Sequence, residues 1–118
     1  MITFFHNNRC SKSREVLEIL TKSKVPFQVN EYLKTPPTAA VLDSLLKQLK
    51  MEPDQIVRKG EDEYDSLKKS GKLPSTRKKW IELMVQNPIL IERPIVSDGK
   101  SAIVGRPPEK VSAWLKSI

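Results

Sequence analysis

The sequence predicts an α/β domain, a mixed sheet flanked by helices, with a helical insertion in the middle of the chain. Three observations carry this expectation. Two short β-branched and aromatic runs, Ile2–Phe5 and Phe27–Leu33, bracket an amphipathic stretch from Ser11 to Ser23. Strand, helix and strand within about thirty residues make a βαβ unit, whose strands run parallel with a right-handed crossover. Near the other end, two more short apolar runs are separated by Ser97-Asp98-Gly99-Lys100, where Asp-Gly is a strong hairpin-turn signal. Between the two β pairs the pattern is helical.

Each element has its own signal. Ile2 to Phe5 reads as a first strand buried on both faces. Val16, Leu17, Ile19 and Leu20 form the stripe of the first helix, and Pro26 resets the chain before a second strand over Phe27–Leu33. Lys34-Thr35-Pro36-Pro37-Thr38 is a break in which Thr38 is placed to cap a helix with the stripe Val41, Leu42, Leu45, Leu46 and Leu49. A third helix is expected from Pro53 to Arg58. The stretch from Lys59 to Lys79 is polar, with Gly60, Gly71 and Pro74 as breakers, and is read as irregular. Trp80, Leu83 and Met84 then mark a helix that stops before Asn87-Pro88. Strands over Ile91–Val96 and Ser101–Val104 form the antiparallel hairpin. A final helix carries Val111, Trp114 and Leu115, with Pro107 or Pro108 fitting its first turn.

At 118 residues the chain is long enough for one core and short for two. A single domain over 1–118 is therefore expected, with its helical insertion at about 36–87. The order β-α-β, helical insertion, β-β-α is that of a thioredoxin-like sandwich. In such a fold the residue before the third strand is commonly a cis-proline beside the active cysteine, and Pro94 stands in that place. No apolar run approaches a membrane span, and the N-terminus lacks a basic flank and a long apolar region, so a cytoplasmic location without membrane partners is expected.

The only cysteine, Cys10, falls where the first strand hands over to a helix. A lone cysteine is commonly a small, inert core residue, so its surroundings decide its chemistry. A thiol at a helix start receives unpaired backbone N–H groups and the positive end of the helix dipole, both of which favour thiolate. Arg9, Lys12 and Arg14 add positive charge. The amides of Ser11, Lys12 and Ser13 are placed to meet a tetrahedral oxyanion above the sulfur.

One cysteine excludes an internal disulfide, and one histidine with one cysteine cannot supply a typical structural zinc site, so no metal is expected. Any redox cycle must borrow an external thiol. The net charge of +7 suits an acidic partner. Nucleic acid is the generic candidate for a basic domain, but no basic, aromatic-interleaved motif appears. The runs Lys68-Lys69-Ser70-Gly71-Lys72 and Arg77-Lys78-Lys79 read as solvated helix ends and loops, which disfavours nucleic acid. A small anionic substrate and an anionic thiol account for the charge equally well.

Four segments then stand together: His6-Asn7-Asn8-Arg9-Cys10-Ser11-Lys12-Ser13-Arg14, Ile56-Val57-Arg58-Lys59-Gly60, Asn87 to Val96, and Val104-Gly105-Arg106-Pro107-Pro108-Glu109. In this order, over nearly the whole chain, they resemble the arsenate reductase family of the glutathione- and glutaredoxin-coupled type. The resemblance implies an oxidoreductase with Cys10 as nucleophile and Arg58, Arg93 and Arg106 around the oxyanion. It implies that His6 and Ser13 belong to the loop that tunes the thiolate. Thr35-Pro36-Pro37 resembles the family's entry to its first insertion helix. Asn8 stands where the family usually has proline, a change of loop rigidity that removes no catalytic group. The implied partners are arsenate or a similar oxyanion, glutathione and glutaredoxin. Glutathione is a co-substrate, and no tightly bound cofactor is expected.

Guanidinium groups suit this chemistry on physical grounds, since they stay charged and offer planar paired donors to tetrahedral oxygens. They also offset the repulsion between an anionic sulfur and an anionic substrate. Cys10-Ser11-Lys12-Ser13 is a C-x-x-S motif, so the second thiol must come from outside. A phosphatase-like reductase needs arginine six positions after its cysteine, where this chain has Val16. A glutaredoxin-like thiol transferase of the same fold would use C-x-x-S chemistry, but has no need of three oxyanion arginines. The alternative from another class is an Spx-like regulator that binds RNA polymerase; Ser13 removes the two-cysteine switch many of those proteins carry.

Overall fold

A computed structural model describes residues 1–118. In chain order the elements are β1 (Ile2–Phe5), α1 (Ser11–Ser23), β2 (Phe27–Asn30), α2 (Ala39–Leu49), α3 (Pro53–Ile56), α4 (Asp62–Lys69), α5 (Arg77–Gln86), a 3-10 turn (Pro88–Leu90), β3 (Ile95–Ser97), β4 (Ala102–Val104) and α6 (Glu109–Ser117). They fall into two compact units, one made of 1–35 with 93–118 and the other of 36–92. The first holds the whole sheet and the second is helical.

In the first unit the four strands lie in the order β2-β1-β3-β4. β1 pairs parallel with β2 and antiparallel with β3, and β3 pairs antiparallel with β4, so the sheet is mixed. Alternation along β1 sends Ile2 and Phe4 to one face, where Val96 joins them opposite Phe4. Against that face α1 presents Val16 and Leu20 and α6 presents Val111 and Trp114, closing a core that is fully or almost fully shielded from water. Spacings of four and three residues place each of these pairs on a single helix stripe. α1 stops at Lys24, which takes the left-handed conformation (φ 61°) and returns its amide to the Thr21 carbonyl.

The second unit buries Leu42, Leu45 and Leu46 of α2, Ile81 and Met84 of α5, and Ile56 of α3. Thr38 and Thr76 cap α2 and α5 through their hydroxyls, accepting from the amides of Val41 and Lys79. Arg77 at the start of α5 donates from Nε (3.1 Å) and Nη2 (2.8 Å) to Asp43 Oδ1, tying α5 to α2. A single antiparallel bridge, Val57 with Ile91, joins the residue after α3 to the residue after the 3-10 turn.

Several boundaries differ from the sequence expectation. The second strand ends at Asn30 rather than Leu33, because Glu31 begins a turn in which its carbonyl accepts from the amides of Lys34 and Thr35. The third begins at Ile95, since Pro94 has no N–H to donate and Ile91 is spent on the isolated bridge. α6 starts at Glu109, leaving both prolines before it, with Pro108 at the cap position. α4 forms inside the stretch read as irregular. None of its residues is buried, so no apolar stripe announces it. Its support is electrostatic: Asp62, Glu63 and Asp65 lie in the first turn, Lys68 and Lys69 in the last, and Asp65 pairs with Lys69 at 2.9 Å.

Candidate active site

The loop from His6 to Arg9 carries the chain from β1 into α1, and its backbone is fixed from both sides. The His6 amide donates to the Asn30 carbonyl (2.9 Å), extending the β1–β2 pairing by one bond. The Cys10 amide donates to the Asn7 carbonyl (3.0 Å), and the Arg9 amide donates to Asn7 Oδ1 (3.0 Å). Cys10 then takes the cap position of α1 in extended conformation, and its carbonyl accepts the first intrahelical bond, from Arg14 (3.0 Å). A cap residue without a side-chain cap bond leaves the next three amides, those of Ser11, Lys12 and Ser13, without partners inside the helix.

Ser13, fully buried, holds the loop from within the helix. Its Oγ accepts from the Asn7 amide (3.0 Å) and lies 2.7 Å from His6 Nδ1. Ser13 Oγ thus serves both the Asn7 amide and one ring nitrogen of His6. Burial lowers the His6 pKa below its usual 6.5, and the charge of Arg14 acts in the same direction against that of Glu31. His6 and Ser13 thus fix each other and the loop backbone.

What touches the sulfur is an arginine. Arg106, on the turn after β4, places Nη2 3.5 Å from Cys10 Sγ, while its Nε donates to the Arg93 carbonyl at 2.7 Å. Cys10 is only 8% exposed, but a guanidinium neighbour is not the setting of an inert core thiol. Arg93 and Arg106 are brought together by the pairing of β3 with β4, and the Gly105 amide continues that ladder to the Pro94 carbonyl (2.8 Å). The Arg93–Pro94 peptide is cis. So is Arg106–Pro107, which the sequence reading did not anticipate.

Gly105 entered the sequence reading only inside the Val104–Glu109 motif, with no role of its own. A Cβ there would stand 2.8 Å from Val16 Cγ2, 3.0 Å from Pro94 Cγ and 3.1 Å from Val111 Cγ2. Only glycine lets the strand end approach α1 and α6 this closely, and Arg106 is the next residue. The signal available in the sequence was a glycine directly before a candidate site arginine.

Arg58 belongs to the second unit, where its amide donates to the Leu90 carbonyl at 2.7 Å. Its guanidinium pairs with Glu61 (Nη1 to Oε1, 3.0 Å) and lies 3.8 Å from Glu92 Oε1. Within that unit its charge is met by two carboxylates.

The model of the ArsC family matches residues 5–114 of the sequence. The chain belongs to the ArsC family. It is 44% identical over 111 residues to the uncharacterized protein YfgD of Escherichia coli (strain K12), covering 93% of this chain and 92% of that one. An arsenate reductase of Neisseria meningitidis serogroup A is 34% identical over 116 residues, with 97% of each chain covered. Among solved structures, an arsenate reductase from Vibrio cholerae superposes with a TM-score of 0.87 at 37% identity over 95% of each chain. The thioredoxin-like fold of the ArsC family is therefore this chain's fold. No helix is long and apolar enough to cross a membrane.

Proposed function

We propose that this ArsC-family chain is an arsenate reductase that works through a covalent Cys10–arsenic adduct, with glutathione and glutaredoxin as thiol donors. The observation that carries the reading is the contact of Arg106 Nη2 with Cys10 Sγ at a helix start whose first amides have no intrahelical partner. The guanidinium beside the sulfur, together with amides that have no intrahelical partner, offers donors to an oxyanion held above it. Arg93, just before β3, contributes the carbonyl that aims Arg106 and enters the reading as an oxyanion arginine on its sequence motif. Arg58 enters this reading on its sequence motif. His6 and Ser13 are positioning residues that hold the loop.

In the reaction, the Cys10 thiolate attacks arsenic, and a hydroxide leaves as water after taking a proton. Glutathione thiolate attacks the adduct and displaces a second hydroxide. A glutaredoxin thiolate then attacks the glutathione sulfur; the S–As bond breaks and its electron pair stays on arsenic, which becomes trivalent. The two external sulfurs are oxidised together to one mixed disulfide. Water cleaves the remaining Cys10–As bond, releasing arsenite and free Cys10. A cytoplasmic setting, where thiols are kept reduced, suits this chemistry.

The test is arsenate-dependent NADPH oxidation through glutathione reductase, glutathione and glutaredoxin. Turnover in the native protein and none in Cys10→Ser is expected. Equal rates in both, or none in the native protein with full thiol supply, would overturn the reading.

A further inference from the structure

A cleft of about 210 Å³ opens between residues 6–9 and the turn that follows β2. Asn8 and Arg9 line it from the loop, and Glu31, Leu33 and Lys34 from the turn. The cysteine itself is the next residue after Arg9. Three charges thus share one small space, two cationic and one anionic. Glu31 and Lys34 pair only loosely, at 3.7 Å, on side chains 41% and 74% exposed. Arg9 makes no ion pair. His6, whose Nδ1 is bonded to Ser13, lines the same cleft. The lining suits neither a simple anion, which Glu31 would repel, nor a cation, which Arg9 and Lys34 would repel.

We infer that this cleft binds the zwitterionic α-amino-acid head of the small thiol that reduces the Cys10 adduct. This rests on the thiol-dependent reading above and deepens it by placing the donor. Arg9 and Lys34 would take the head's carboxylate, Glu31 its ammonium group, and the apolar side of Leu33 its methylene chain. A γ-glutamyl thiol has such a head, separated by its chain from the sulfur that must reach Cys10. A head held beside the loop that ends at the cysteine converts attack on the adduct from a collision of anions into an oriented, intramolecular step.

The probe is S-methylglutathione, which keeps the head and cannot react, titrated into isotope-labelled protein and followed by amide NMR shifts. Saturable shifts at 7–9 and 31–34 are expected. S-methylcysteinylglycine, which lacks a carboxylate beside its ammonium group, should not produce them. Glu31→Gln at a half-buried position and Lys34→Gln at an exposed one should each weaken binding about tenfold, the size of one charge-assisted contact. In turnover the same variants should raise KM for glutathione and leave KM for arsenate unchanged. Shifts elsewhere, equal affinity in the variants, or equal binding of the truncated probe would overturn the proposal while leaving arsenate reduction standing. Binding in the cleft with no arsenate turnover would instead sustain the cleft and remove the reductase reading.

Discussion

Gly105→Ala joins the core to the site. The added methyl meets side-chain atoms at 2.8, 3.0 and 3.1 Å, contributed by Val16, Pro94 and Val111. None can yield easily. Val16 and Val111 are fully buried, valine in a helix has one strongly preferred χ1, and a proline ring has no rotamer to change. Overpacking of this kind costs about 1–3 kcal/mol. For a chain of this length about 1 kcal/mol moves the melting temperature by roughly 4 °C, so a loss of roughly 4–12 °C is expected. Urea unfolding gives the free energy, and a double-mutant cycle gives the cause. Val16→Ala removes the methyl that stands nearest. Gly105→Ala should therefore cost at least about 1 kcal/mol less in the Val16→Ala background than alone. Because the Gly105 amide bonds to the Pro94 carbonyl and Arg106 follows, KM for arsenate should rise in the single variant. A single variant within about 0.5 kcal/mol of native, or strictly additive effects, would refute the packing argument.

Arg106→Ala should slow alkylation of Cys10 at neutral pH and weaken arsenate binding by tenfold or more, and Arg106→Lys should restore only part of either, since lysine cannot serve both the Arg93 carbonyl and the sulfur. An alkylation rate equal to native in Arg106→Ala would show that the guanidinium does not act on the thiol. Ser13→Ala leaves the Asn7 amide and His6 Nδ1 buried without their partner, a loss of about 1–3 kcal/mol readable by chemical denaturation. The only histidine has a depressed pKa in the folded state. The unfolded chain therefore binds the extra proton first, and stability should be complete above about pH 6.5 and decline as pH falls from there toward the folded value. His6→Asn should flatten that decline; an unchanged slope would place its origin elsewhere. Asp98 accepts from the amides of Ser101 and Lys100, which holds its carboxyl below the ordinary range of 3.8. Asp98→Ala should cost the hairpin about 1 kcal/mol, comparable to a lost capping carboxylate, and native protein should lose that contribution as pH falls below about 3.8.

The sheet was legible because its signals are local and redundant. Ile2–Phe5 is a β-branched and aromatic run, Asp98-Gly99 names its own turn, and the α1 and α6 stripes need only a period near 3.6. α4 was illegible for the opposite reason, since a helix with no buried residue has no periodic stripe and declares itself only by charges at its ends. The second strand ends at Asn30 because the chain turns at Glu31, and the third begins late because Ile91 bridges Val57, a pairing distant in sequence. At the site, the sequence pointed to Cys10 with Arg58, Arg93 and Arg106; the structure sets the Arg106 guanidinium beside the Cys10 sulfur and against the Arg93 carbonyl, while Arg58 belongs to the second unit and pairs there with Glu61. The sequence did not disclose that Arg106 bonds to the Arg93 carbonyl, that Ser13 and His6 serve the loop backbone, or that Gly105 is required by contact with α1 and α6. Motifs carry residue types and spacings, but which atom donates to which is settled by packing.

Under this mechanism Cys10 holds arsenic covalently while two external thiols supply the electrons that reduce it. This claim is tested most directly by mixing stoichiometric protein with arsenate, glutathione and glutaredoxin, quenching, and separating arsenate from arsenite by chromatography. Native protein should yield arsenite, and Cys10→Ser only the protein-free background. Arsenite at the native rate from Cys10→Ser, or none from the native protein, would contradict it.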